Sequence, residues 1–391
     1  MNSLIKKAFP VVAGFMLLGS FNAAEARPGN PSCPAGQTIQ STLSSGSSWS
    51  MCWEARDKEG VVLSDIRYQA PGQSSRRILG EMSLSQIQRN YDDGSPVRFL
   101  VTSSGLGGNN FINLSSSECG GQLRYSAGKP VLCESKQEAG FIYKYGTDTA
   151  VSGLNLSLLS ASQIGEYSYT VEWIFKENGT IEPKVGLSGS LDKMGADANF
   201  GWPIQQNGEV AVGFVDNYFW RMDFDLGSSN SNDVIEQITS TLSADRTKRT
   251  KAISTIATES GRNFSPEVKR FWRVRDGSET NGFAPISYEL VMLNYDHQAV
   301  GPNNEVWMNR DIYLTKYNAC ERFAADNSVA NGCGWGVNSY TNGEGINSGD
   351  VVLWNRLSYH HLPRDEDDNV IGMRWSSFKL LPRDWHAVNP L

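Results

Sequence analysis

Hydrophobic and polar positions alternate with a period of two through much of the chain, and long helical periodicity is scarce, which predicts a mostly β, antiparallel architecture. Two stretches carry the pattern most clearly. Tyr167, Tyr169, Val171, Trp173 and Phe175 fall on one face of a strand, and Asn178-Gly179 supplies a hairpin turn into a partner strand over residues 181–187. In the second stretch Tyr218, Trp220, Met222 and Phe224 share one face, opposite Phe219, Arg221, Asp223 and Asp225. Segments rich in Gly, Ser and Asn, at residues 105–110 and 227–233, read as loops. The polar stretch 243–262 is the one place where a short helix or a mobile excursion is expected. No internal repeat or linker divides the chain.

The N-terminus has the pattern of a secretory signal: Lys6 and Lys7, an apolar run over residues 8–18, and a small-residue cleavage site at Ala24-Glu25-Ala26. The run falls short of the roughly 20 residues that span a bilayer, so a cleaved signal over residues 1–26 is expected rather than an anchor. Residues 27–50, rich in Pro, Gly and Ser, read as a leader held by Cys33, with the main domain over 51–391. Loss of Lys6, Lys7 and Glu25 moves the formal charge from −7 to −8. A chain of this sign is repelled by phosphate backbones and anionic membranes, which argues against nucleic acid or a membrane surface as partner. A secreted or periplasmic location is expected.

All six cysteines, Cys33, Cys52, Cys119, Cys133, Cys320 and Cys333, lie beyond the signal and form three sequence-local pairs. In an oxidising compartment an even count favours disulfides, and no Cys-x-x-Cys spacing speaks for a metal cluster. Local pairing is the simplest of the 15 connectivities open to six cysteines.

Three segments carry a family resemblance. The first holds Gly60-Val61-Val62-Leu63, Ile66-Arg67-Tyr68, Arg77 and Glu81-Met82; the second holds Gly165-Glu166-Tyr167-Ser168-Tyr169 and Trp173-Ile174-Phe175. The third holds Gly349-Asp350-Val351-Val352-Leu353-Trp354 and His360-His361-Leu362-Pro363-Arg364-Asp365-Glu366-Asp367. Together, and in this order, they resemble the catalytic domain of the copper amine oxidases. The resemblance implies a large antiparallel β-sandwich, a homodimer, a disulfide between Cys119 and Cys133, and the loss of the family's smaller N-terminal domains. It also implies an activity: oxidation of primary amines to aldehydes by topaquinone, which copper and oxygen make from a tyrosine of the chain.

The chemistry can be sought residue by residue. Tyr167 stands at the quinone-precursor position, although its neighbours are Glu166 and Ser168 rather than the family's Asn and Asp or Glu. A buried strand tyrosine is the plainer reading. His361 corresponds to the third copper histidine. At the His-x-His pair the chain reads Phe214-Val215-Asp216; a phenyl ring has no lone pair, and copper(II) is better served by imidazole than by the Asp216 oxygen. His297, His360 and His386 are the other histidines, and His386 reads as a packed aromatic. Leu100 falls where the proton-abstracting aspartate belongs and cannot take a proton. Gln86 falls at the quinone-steadying tyrosine. Asp92-Asp93-Gly94 reads as a solvated turn, and the acidic run 365–368 reads as structural rather than as a calcium loop.

The resulting expectation is an exported, catalytically degenerate relative without copper or topaquinone, kept for binding or assembly. The alternative is an active primary-amine oxidase with a quinone from Tyr167 and a variant copper site. A third possibility is a different enzyme in which Glu166, Asp216 and His361 converge.

Overall fold

The computed structural model describes residues 33–147, 149–205, 208–293, 301–330, 333–368 and 370–391, so the expected signal and His297 lie outside the described residues. Two large antiparallel sheets face each other. The first runs, in spatial order, Thr38–Thr42, Ser48–Arg56, Gly60–Gln69, Arg76–Tyr91, Phe214–Gly227, Val351–His361, Ile312–Lys316 and Ser260–Arg262, with Arg98–Phe99 beside Arg76–Tyr91. The second has Ile371–Arg383, Ile181–Gly189 and Tyr167–Lys176 side by side, in that order, at its middle. A small three-stranded sheet over residues 194–212 sits beside them.

The two alternating stretches meet across the interface, where Trp173 packs edge-on to Trp220 with ring centroids 6.1 Å apart and Trp220 meets Phe378 at 5.9 Å. All three rings are fully buried, and cutting one to alanine at such a position costs about 3–5 kcal/mol. The opposite face of Phe214–Gly227 is covered as well: Phe219 joins Trp307, Met308, Tyr313, Tyr340 and Trp354 in a second apolar cluster. That double burial explains why this strand carries aromatic residues on both faces.

The turn at Asn178-Gly179 forms as the sequence predicts. Gly179 has φ +87°, and a Cβ there would stand 2.9 Å from the Tyr68 ring. The hydroxyls of Tyr68 and Tyr288 donate to the carbonyls of Glu177 and Gly179, at 2.6 and 2.8 Å, so the turn is tied to both sheets.

All three sequence-local cysteine pairs are bonded, Cys33–Cys52, Cys119–Cys133 and Cys320–Cys333. Within the stretch read as a leader, Thr38–Thr42 and the first residues of Ser48–Arg56 pair as strands of the first sheet. The stretch 243–262 departs from expectation. It holds a strand, Arg249–Ile256, paired along Asp233–Leu242, and the short strand Ser260–Arg262. Its polarity reflects position: Arg249–Ile256 is an edge strand exposed along most of its length, so it has no buried face to mark. The longest hairpin, Lys129–Tyr145 with Thr149–Ile164, also has an exposed outer half, where Phe141 and Tyr145 are 68% and 73% accessible.

Candidate functional site

Three adjacent strands bring the singled-out residues together at one end of the first sheet. Phe214–Gly227 runs between Arg76–Tyr91 and Val351–His361, in a register that sets Phe214 opposite both Tyr91 and His361. Asp216 is set opposite Arg89 and Tyr359. The second sheet contributes Tyr167, whose ring meets Phe214 edge-on at 5.4 Å. Positions 167, 214, 216 and 361 are therefore neighbours in space, although they lie far apart in the chain.

Arg89 occupies the middle of this group. Its guanidinium carbon lies 3.8 Å from the centre of the Tyr167 ring and 3.9 Å from that of Phe214, so the cation sits against both rings. Nε and Nη2 donate to the two oxygens of Asp216 at 2.7 and 2.8 Å, a bidentate pair. Nη2 also donates to the Tyr169 hydroxyl at 2.8 Å, and the hydroxyls of Tyr169 and Tyr218 point to Asp216 Oδ2 at 3.1 and 3.3 Å. Burial by itself would lower the guanidinium's pKa, but the Asp216 carboxylate together with Tyr169 and Tyr167 outweighs it and holds the group well above its usual value. The pair is closed off from water, with Arg89 1% and Asp216 0% accessible.

His361 stacks on Phe214 with centroids 5.1 Å apart and planes 27° from parallel. Its Nδ1 lies 3.2 Å from the Tyr359 hydroxyl, whereas Nε2 is buried without a hydrogen bond, 3.7 Å from Asp367. Burial lowers the imidazole's pKa, so the ring is neutral at pH 7. Asp367 accepts from Arg364 within the short turn Asp365–Asp367, which gives the acidic run a structural role. His360 is exposed and reaches Asp92 at 2.9 Å. His386 packs on Tyr68 at 5.8 Å, and burial brings its pKa down to about 4. Glu166 is exposed in the turn before Tyr167 whereas Asp216 and His361 are buried, and the three are not grouped within ligand distance of one another among the described residues.

A cleft of about 400 Å³ opens onto Tyr167 and is also lined by Arg89, Arg98, Leu100, Asp192 and Asp326. The Tyr167 hydroxyl donates to Asp192 Oδ1 at 3.0 Å and that of Tyr91 does so at 2.7 Å. Burial, reinforced by Asp192 against the opposing pull of Arg89, raises the Tyr167 phenol far above its usual range. Tyr91 is pushed up to about 12, chiefly by burial. Leu100 opens the helical turn Leu100–Ser103. Gln86 lies beneath that turn, donating to Thr102 and to the Ala325 carbonyl while accepting from the Val101 amide.

Away from this end, Asp223, Asp225 and Asp350 form a group whose ligand oxygens lie within 4.8 Å of one another. Burial, together with mutual repulsion, raises Asp223 to about 9 and Asp225 to about 7. Three oxygens this close suit a hard divalent cation. The Asp-x-Asp spacing on one strand face was the available signal, but only the fold brings Asp350 to it.

The comparisons with known proteins fit this arrangement. The family model described as copper amine oxidase, enzyme domain, matches residues 39–391. The chain belongs to the copper amine oxidase family. It is 24% identical over 386 residues to a primary amine oxidase of Arthrobacter sp. (strain P1), covering 88% of this chain and 58% of that protein. A primary amine oxidase of Pisum sativum is 22% identical, with 85% and 57% covered. The chain thus spans somewhat over half the length of these curated relatives. A copper-containing benzylamine oxidase from Hansenula polymorpha superposes with a TM-score of 0.77 at 18% identity, covering 98% of this chain and 66% of that one. An Aspergillus nidulans amine oxidase gives 0.74 at 20% identity, with 99% and 56% covered. At these identities the structural likeness establishes the fold.

The family's copper and quinone can be tested against the residues present. His361 offers one unpartnered imidazole nitrogen. Beside it stand a phenyl ring with no donor and a carboxylate already bound in bidentate fashion by a guanidinium. That donor set does not fit copper(II), for which imidazole nitrogens in a tetragonal arrangement are preferred.

Proposed function

We propose that this protein is an exported member of the family that works by binding rather than by amine oxidation, with no copper centre and an unmodified Tyr167. One observation carries the reading: the Arg89 guanidinium lies against the rings of both Tyr167 and Phe214 and neutralises Asp216. Quinone formation in this family requires copper, and a fixed cation at that point disfavours a second one. Leu100 reinforces the reading, since the cleft over Tyr167 has no carboxylate at that position to take a substrate proton. Three disulfides accord with an oxidising compartment outside the cytoplasm. The family's dimeric habit and the exposed aromatic outer half of the long hairpin support a homodimer.

The rival reading, an active oxidase with a variant copper site, draws on its relatives' names and on the retention of Tyr167 and His361. Hydrogen peroxide release during aerobic incubation with methylamine and benzylamine separates the two. The binding reading requires no amine-dependent peroxide above the level of a heat-inactivated sample. Sustained turnover abolished by Tyr167→Phe would overturn it.

A further inference from the structure

The second sheet ends on a strand that is paired on one side only. Arg249–Ile256 runs along Asp233–Leu242 as the outermost strand, six strand positions from Tyr167–Lys176, and it is exposed from Arg249 to Thr255. Its other edge presents a row of backbone donors and acceptors. The local charge is opposite to that of the whole chain. Residues 243–256 carry Arg246, Lys248, Arg249 and Lys251 against Asp245, and the turn 265–270 carries Lys269 and Arg270 against Glu267. Six cations against two carboxylates give +4 in a chain whose net charge is −7. The two segments adjoin, since the Ser240 amide donates to the Val268 carbonyl at 2.7 Å. Among the described residues no carboxylate pairs with Arg246, Lys248, Arg249 or Lys251; Asp245 keeps its charge but is held by Ser243 and Thr247 of its own turn. Both turns also hold a cation in the left-handed region, Arg246 at φ +59° and Lys269 at φ +45°, where glycine would be less strained.

Alternation orders the patch. Arg249, Lys251 and Ile253 share the face turned away from the core, because Ile256, on the other face, joins the core cluster. Ile253 is 45% accessible and lies across from Ile238, which in turn lies across from Phe271. From these observations we infer that Arg249–Ile256 is a docking edge for an extended acidic segment of a partner protein. The segment adds a strand to the sheet: its backbone pairs with the free edge, alternate carboxylates meet Arg249 and Lys251, and an apolar residue two positions further on meets Ile253. A second copy of this edge is disfavoured because it brings these cations toward their equivalents. An acidic glycan would neutralise the cations but leave the backbone edge unpaired. The surface is separate from the Tyr167 cleft, so the inference does not depend on the chemistry there.

The test uses the whole protein and a fluorescein-labelled, end-blocked peptide, Val-Thr-Glu-Thr-Glu-Thr-Val, whose pattern reads the same in either strand direction, with binding followed by fluorescence anisotropy. Replacing both glutamates of the peptide by lysine should weaken binding by about tenfold or more, and the Arg249→Gln, Lys251→Gln double variant should weaken it by about fivefold to tenfold. Both substituted side chains are exposed, so the variant keeps the fold, which an unchanged Tm checks. N-methylation of the central threonine and the glutamate after it keeps every charge but removes a donor from whichever edge faces the protein, and should weaken binding by about fivefold. No saturable binding at millimolar peptide, equal binding of the lysine peptide, or an unchanged affinity in the double variant would overturn the inference and leave the cations the role of keeping this edge apart from other chains. Equal binding of the methylated peptide would overturn the strand pairing. Binding of dextran sulfate, lost in the double variant, without binding of the acidic peptide would assign the surface to acidic glycans and overturn the inference as well.

Discussion

Replacing Arg89 by methionine probes the middle of the candidate site directly. Methionine roughly keeps the length of the side chain but removes the charge and every donor. It leaves Asp216 at 0% accessibility with no counterion and only the Tyr169 and Tyr218 hydroxyls to satisfy it. Breaking a buried pair by deleting one partner costs about 3–5 kcal/mol. The lost cation contacts with the Tyr167 and Phe214 rings are part of that figure rather than an addition to it. At about 2 °C per kcal/mol for a domain this large, Arg89→Met should lower Tm by about 6–10 °C at pH 7. Adding Asp216→Leu removes the stranded carboxylate, and an apolar pair in place of a buried ion pair is often neutral or stabilising. The double variant should therefore recover most of the loss, so differential scanning calorimetry on wild type, both single variants and the double variant gives a large coupling energy. A drop below about 1 °C for Arg89→Met, or additive losses in the double variant, would refute the claim that the pair is a closed unit.

Three further outcomes follow from the geometry. Asp223 and Asp225 have carboxyl pKa values raised to about 9 and about 7, so the folded state binds more protons than the unfolded one. Stability should then fall as pH rises from about 4 toward 9; Tm measured across that range should fall less in Asp223→Asn, and equal slopes would count against it. The Cys119–Cys133 disulfide joins positions separated by 14 in the sequence, so the double serine variant should lose about 2–4 kcal/mol in urea unfolding, with the bond itself read from unreduced peptide masses. Restoring the family residues with Leu100→Asp, Phe214→His and Asp216→His should fail to recruit copper while Arg89 remains, because the guanidinium would be left unpaired among the new imidazoles. Adding Arg89→Ala should raise bound copper toward one equivalent by elemental analysis, whereas copper uptake by the triple variant alone would contradict the blocking role.

The sequence made the sandwich legible because its two strongest alternating stretches are the strands that meet at Trp173 and Trp220. The Asn178-Gly179 turn was equally plain, since a positive φ in a tight turn favours glycine. Positions 214, 216 and 361 also came together as the resemblance implied. Arg89 was not legible. It follows Gln86 and Gln88 in a polar run, and its pairing with Asp216 depends on a register that passes through irregularities between Phe219 and Trp220 and again beyond Asp223. Such shifts exchange the faces of a strand, and no local pattern reveals them. Asp192 was missed for a related reason: it lies outside the regular strands and reaches Tyr167 only through the fold. Stretch 243–262 misled because an exposed edge strand has no apolar face to alternate.

The central claim of the binding reading is that Phe214 and Asp216, the latter held by Arg89, stand where the family's chemistry needs metal donors, so that Tyr167 stays a tyrosine. Intact-peptide mass spectrometry of the fragment containing Tyr167, after purification as the apoprotein and prolonged aerobic incubation with copper(II), tests this most directly. The account predicts the unmodified tyrosine mass. A shift corresponding to conversion of that ring to a quinone would contradict it.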